Sequence, residues 1–201
     1  MADRDGSAAA IGNVVLVNED IKRVVRCAFG INLMALNAIL VARRAGSAAA
    51  GFGIVAAEMR QLSGALEGSM GTLRRLSDEL LATVTRAMRH ARVETVLLRT
   101  ASQGESVRHR LEPVLERSAQ RRADIERRIS AQCRNLLNDL DGAVRVSRLA
   151  DSLAHMAKIE ASWSADHRTG LAAVSDELAQ SLRGILPLLK GLTGKLQEIG
   201  R

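Results

Sequence analysis

Residues 14–45 read VVLVNEDIKRVVRCAFGINLMALNAILVARRA, and apolar or small residues recur along them at alternating steps of three and four. The series is Val14, Val17, Ile21, Val24, Ala28, Ile31, Ala35, Ala38, Ala42 and Ala45. That spacing is the heptad seam of a packed helix, since it keeps one narrow stripe on one side over many turns. The seam passes from Val and Ile to alanine, and small seam residues let backbones approach, so two helices are expected to draw together toward residue 45.

Gly46 ends the pattern, as a glycine just past a periodic helix usually does. After Ser47-Ala48-Ala49-Ala50-Gly51 the seam restarts at Phe52 and continues through Val55, Met59, Leu62, Leu66, Ser69, Leu73, Leu76, Leu80, Thr83 and Ala87. Two seams joined by a few small residues predict an antiparallel helical hairpin over residues 14–101 with its tip at 46–51. Residues 1–13 are expected to be a flexible N-terminus. A second apolar stripe, Phe29, Leu33, Leu36 and Leu40, lies off the first seam. An isolated hairpin needs one stripe per helix, so this face should be buried by another chain or by the rest of this one.

Residues 106–201 read as a second helical hairpin. Its first arm carries Ile125, Ile129, Cys133, Leu136, Leu140 and Val144, then Leu149, Leu153 and Met156, up to about Trp163. Proline is tolerated in a first helical turn, which makes Pro113 an alternative start, and Gly142 should loosen the middle. The second arm runs Leu171, Val174, Leu178, Leu182, Ile185, Leu189, Leu192, Leu196 and Ile199, with Pro187 expected to kink or split it. The fold class is therefore all-α: an elongated antiparallel hairpin, completed to a four-helix bundle by the second hairpin or by dimerisation.

Composition agrees. Among 201 residues there are two phenylalanines, one tryptophan, no tyrosine and two prolines, which argues against a sandwich, a barrel or a disulfide-built module. Net charge is +7, and residues 86–128 hold eleven arginines against six acids. Such a stretch suits phosphates or an anionic membrane surface. Its interleaved acids also suit a solvated face laced with ion pairs, and the motifs of nucleic-acid readers are absent, so a nucleic-acid partner is not favoured. Cys27 and Cys133 form no CxxC pair and fit a reducing compartment. No secretory leader and no run of 18 consecutive apolar residues is seen. A cytoplasmic protein without a membrane span is expected.

Catalytic constellations are weak. His90, His109, His155 and His167 are far apart, with no helical metal spacing among them. His90 reads as a packed or half-exposed helix residue. Ala50-Gly51-Phe52-Gly53 lacks the Gly-Lys-Ser/Thr of a phosphate loop and follows no strand. No nucleophile has a matching base. The expectation is no enzyme, no cofactor and no metal.

The segment at residues 28–62, AFGINLMALNAILVARRAGSAAAGFGIVAAEMRQL, carries more than periodicity. It resembles the signalling tip of bacterial methyl-accepting chemotaxis receptors, where an antiparallel hairpin runs N-L-L-A-L-N-A, A-x-R-A-G, a short turn, and G-F-x-V-V-A-x-E-V-R-x-L. The matching positions are Asn32, Leu33, Met34, Ala35, Leu36, Asn37 and Ala38, then Ala42, Arg44, Ala45 and Gly46. After the turn come Gly51, Phe52, Ile54, Val55, Ala56, Glu58, Met59, Arg60 and Leu62. The match covers about a fifth of the chain. It implies a non-enzymatic signalling element whose tips form dimers and higher oligomers and dock a coupling protein and a histidine kinase. By the same resemblance, Phe29, Leu33, Leu36, Asn37, Leu40 and Arg44 fall at receptor–receptor contact positions. Ile54, Val55, Glu58 and Arg60 fall at coupling-protein positions, and Gly46, Gly51 and Phe52 at the hairpin turn.

The chain also departs from the family. Val41 stands where a glutamate commonly pairs with arginine across the receptor contact, and Ser47 and Ala50 replace charged turn residues. These losses bear on kinase coupling, because charged contacts set register and specificity. Only 27 residues precede the matched segment, so sensor, membrane and adaptation segments are expected to be missing. Asp78-Glu79 and Gln197-Glu198 lack the small flanks of methylation sites, and the final LQEIGR does not resemble a methyltransferase tether. The leading expectation is a signal-transduction protein, a homo-oligomer that works by helix packing and engages a chemotaxis coupling protein, a kinase or other receptors. The alternative is a basic bundle that binds nucleic acid or an anionic membrane through residues 86–128.

Overall fold

The computed structural model describes residues 2–164 and 168–199, with side chains described over 12–164 and 169–199. Helix α1 spans Ala2–Ala45, a short 3-10 turn Gly46–Ala49, α2 Ala50–Ala101, α3 Glu105–Trp163, α4 Arg168–Arg183 and α5 Ile185–Ile199. No strand occurs among the described residues. Residues 2–13 lie within α1, so that helix starts ahead of the seam that begins at Val14.

The turn falls where the glycines place it. Gly46 has φ +69°, and it alone has a positive φ among the described residues. A Cβ is strained in that left-handed region. Gly46→Ala is therefore expected to lower stability by about 1–2 kcal/mol, read as a lower urea midpoint at unchanged helix content.

Pro113 does not start α3 but lies inside it. The carbonyl it leaves without a helical donor belongs to His109, which is exposed to water, and the Pro113 carbonyl accepts a bond from Arg117 Nε at 3.0 Å. Gly142 leaves α3 unbroken. The last arm does split, at Gly184, and Pro187 then sits in the first turn of α5, where its missing N–H costs no helical bond.

The α1 seam is buried as read, from Val14 through Ala42. In α2 the expected seam holds at Val55 and Thr83, which are buried together with Ala56 and Val84, whereas Ser63, Met70 and Ser77 take the buried place expected of Leu62, Ser69 and Leu76. Phe52, Met59, Leu66, Leu73 and Leu80 are buried, but they alternate with Ala56, Ser63, Met70, Ser77 and Val84, while Leu62, Ser69 and Leu76 are only half-buried. At position 63 the seam takes a small residue because the α1 and α2 backbones lie close there. Ser63 marks the approach: its Oγ donates to the Ala28 carbonyl at 2.6 Å. The same correction applies to α3. Its seam runs Cys133, Leu136, Leu140, Ala143, Ser147, Ala150, Ala154, Ala157, Ala161 and Ser164, whereas Val144 and Leu153 are half-buried and Leu149 and Met156 are exposed. In α4, Ser175 replaces Val174 at the buried position.

Two units can be described. One comprises residues 18–74 and 138–194, the other residues 1–17, 75–137 and 195–201. In the first, segments of all five helices enclose one core, so the second hairpin of the same chain completes the bundle there. At the 46–51 tip this core joins Ala38, Ala42, Ala49, Phe52, Val55, Ala56, Ala157, Ala161 and Leu171. Phe52 is its one large aromatic side chain. In the second unit, burial is concentrated at Val14, Val17, Leu80, Val84, Cys133, Leu136 and Leu196, and between residues 85 and 132 only Ala101 and Ser118 are buried.

One stretch within Gly12–Ala101 holds an 18-residue window that is long and apolar enough to cross a membrane by length and composition, although the sequence has no 18 apolar residues in a row. Of that window 28% is buried, close to the roughly two positions in seven that a single heptad seam covers.

Candidate functional site

The tip is built by three elements meeting the 3-10 turn. The Ser164 hydroxyl, at the end of α3, donates to the Ala48 carbonyl at 2.9 Å and to the Glu160 carbonyl at 3.2 Å. This fastens α3 to the turn between α1 and α2. Gly51 makes room for a further contact, since a Cβ there would collide with the Glu160 carboxyl group. No acidic residue lies in the first turn of α2, so Glu160 brings a negative charge from α3 to that positive helix end. At the other side of the turn Arg43 and Arg44 occupy the last turn of α1, where cations complement the helix dipole.

The second stripe on α1 is left uncovered. Phe29 is 55% exposed, Leu33 51% and Leu40 52%, with Leu36 half-buried and Asn37 and Arg44 exposed. Val25, which the sequence reading passed over, extends the same face at 37%. No acidic residue occurs between Asp20 and Glu58, so the rim of this face is basic: Lys22, Arg23, Arg26, Arg43 and Arg44.

Among the expected coupling residues, Ile54 is 67% exposed and Glu58 and Arg60 are exposed. Val55 is corrected: it is 7% exposed and packs in the tip core beside Phe52, so it is not a surface contact. The reason is that Val55 lies on the α2 seam itself, and it turns inward together with Ala56. Gly46 opens the turn as expected, Gly51 is instead the second residue of α2, and Phe52 is the core residue behind the turn. Val41 is half-buried against the same core. A carboxylate there would be desolvated beside alanines, which gives a packing reason for valine at that position.

Sequence reasoning missed a second exposed stripe, on α3: Leu149, Met156, Ile159 and Trp163, the last 78% exposed. Its signal is present in the sequence as steps of seven, three and four, but periodicity alone places Leu149 and Met156 in the core seam. Ser164 and Glu160 were missed because a lone serine and a lone glutamate carry no periodic signal. Between α3 and α4, Lys158 and Asp176 pair at 2.7 Å, and that ammonium holds the Asp176 carboxyl below its ordinary range by hydrogen bonding and charge.

The remaining candidates carry no cluster. No group of three His, Cys, Asp or Glu suited to a metal occurs among the described residues. His109 lies 3.4 Å from Glu112 and is exposed, and His155 is exposed. His167 lies outside the described residues. Cys27 and Cys133 are free, and burial pushes the Cys133 thiol above its ordinary range, which disfavours a reactive thiolate. Compared with known proteins, the chain matches no family model and no curated protein.

Proposed function

We propose that this chain is a non-enzymatic signal-transduction element of the chemoreceptor type, whose 28–62 hairpin tip presents partner surfaces instead of an active site. The observation that carries the reading is the open face of α1. Phe29, Leu33 and Leu40 are each more than half exposed, in line, on a helix whose other seam is fully buried. An aligned apolar stripe rimmed by polar groups is the usual mark of a protein–protein contact. The stripe coincides with the positions that the family uses between receptors, and Ile54, Glu58 and Arg60 coincide with those facing a coupling protein.

In this reading the second hairpin takes the place that a second receptor chain has in the family. It completes the four-helix core in cis and leaves the α1 stripe free for homo-oligomers or other receptors. Signals would pass by repacking: a small shift between two arrangements of the narrow seam changes which tip face is presented. The cytoplasm is where such a tip meets its kinase.

The test is a pull-down of the purified chain with a chemotaxis coupling protein and histidine kinase, beside Phe29→Ala and Ile54→Asp variants. Capture by the wild-type chain is expected, with Ile54→Asp abolishing it and Phe29→Ala weakening self-association in sedimentation. Failure of the wild-type chain to bind either protein, together with a monomer at all concentrations, overturns the reading. Helix content of the variants should match the wild type, because both side chains are exposed.

A further inference from the structure

Residues 85–132 form the part of the α2–α3 pair with the least core, and there the two helices leave a cleft of about 630 Å³. Its polar lining is Arg86, Arg89 and His90 from α2 and Arg117, Ser118 and Arg121 from α3. Its apolar wall includes Val93, Leu97 and Ile125. No carboxylate lines it.

The charge balance of the segment explains why this matters. Four of its six acids are engaged elsewhere: Glu94 and Glu126 lie 3.9 and 3.7 Å from Arg122, Asp124 pairs with Arg127, and Glu112 sits beside His109, while Glu105 and Glu116 do not line the cleft. The four arginines of the cleft have no ion-pair partner among the described residues. Four guanidinium groups gathered without a counter-charge repel one another, and an anion placed among them relieves that cost. Two further observations point inward. Ser118 is buried, its hydroxyl 3.5 Å from His90 Nε2, and His90 Nδ1 is buried with no hydrogen-bond partner. A buried polar atom left unpaired is unfavourable, so His90 and Ser118 close this part of the α2–α3 seam poorly. A histidine and a serine therefore stand in the seam where apolar residues would close it, and the cleft follows from that choice. Arg117 is held by its Nε–H donating to the Pro113 carbonyl, which leaves its terminal amino groups for a ligand.

We infer that this cleft binds an organic phosphate with an apolar body: the phosphate among Arg86, Arg89, Arg117 and Arg121, the apolar part against Leu97 and Ile125. Guanidinium groups match phosphate oxygens in pairs, and arginine is the side chain best suited to that contact. The cleft volume falls in the range of small-molecule sites. The same chemistry is offered by a soluble phosphomonoester and by the headgroup and upper acyl chain of an anionic lipid. The site stands whether or not the tip couples to a kinase.

The experiment uses the full chain and two probes: hexyl phosphate by titration calorimetry, and phosphatidic acid/phosphatidylcholine vesicles by co-sedimentation. Saturable one-to-one binding of hexyl phosphate identifies a soluble ligand, and binding of vesicles alone identifies a lipid. Either is expected to weaken at least about tenfold in an Arg89→Gln, Arg117→Gln double variant. A His90→Leu, Ser118→Ala variant should lose binding while keeping or raising its melting temperature, because it fills the seam. An Arg99→Gln, Arg108→Gln variant, outside the cleft, should bind as the wild type does. The inference is overturned if neither probe binds saturably, or if the outside pair weakens binding as much as the cleft pair. The second result would mean that affinity follows overall charge.

Discussion

Phe52→Ala is expected to destabilise the unit of residues 18–74 and 138–194 by about 3–5 kcal/mol, lowering its melting temperature on the order of 10 °C. Phe52 is fully buried, and the side chains around it are mostly alanine methyl groups from α1, the turn, α2 and α3. Methyl groups on packed helices cannot swing inward to fill the space, so the cavity stays open and the cost lies at the high end of the range. The chain has one other phenylalanine, which makes the natural control. Phe29 is 55% exposed on α1, and Phe29→Ala should change stability by no more than about 0.5 kcal/mol. Two substitutions of the same chemistry, 23 positions apart in the sequence, should thus differ several-fold in ΔΔG by urea denaturation. Hydrogen exchange should show the loss of protection in Phe52→Ala centred on residues 38–56. Equal and small effects of both variants would sink the assignment of Phe52 to the core.

The helices and the turn were legible because their signals are local. Gly46 closes a seam that runs without a miss from Val14, and Phe52 opens the next. The hand of each seam was less legible. A three-four repeat admits neighbouring registers, and choosing the larger apolar residue selects Leu62, Leu76, Leu149 and Met156. In the structure the buried register takes Ser63, Ser77, Ala150 and Ala157 instead. Size is a good guide where helices stand apart and a poor one where backbones approach closely, since there the space admits only a methyl or a hydroxymethyl group. The alanines of α1 already carried that information, because a partner seam facing Ala35, Ala38 and Ala42 has to sit near. The tip site was legible as a stripe but not as to which hairpin would cover the other face. That depends on contacts such as Ser164 with Ala48, which join residues 116 positions apart. The cleft was hidden for a related reason: its arginines look solvated in sequence until Glu94, Asp124 and Glu126 are seen to be engaged by Arg122 and Arg127.

The register of α3 gives a second large and directional prediction. Ala157 is buried in the tip core that also holds Ala42 and Phe52, and Met156, its neighbour, is 51% exposed. Ala157→Leu adds three carbons where the helices are closest, and overpacking of that kind costs about 1–3 kcal/mol, more where the backbone cannot give. Segments of α1, α2 and α4 in the same core and the Ser164 tie leave little to give, so the upper end is expected. Met156→Ala should be nearly silent, within about 0.5 kcal/mol. If the seam followed size, both results would invert: Met156→Ala would remove a core side chain at about 2–5 kcal/mol, and Ala157→Leu would be an unremarkable surface change. Urea midpoints of the two variants therefore read the rotation of α3 directly. The outcome also bears on function, because only the small-residue register leaves Leu149, Met156, Ile159 and Trp163 facing outward. With that register, α3 presents an apolar ladder in addition to the one on α1, and a Met156→Ala protein that is as stable as the wild type can be assayed for partner binding without a folding defect to confuse the result.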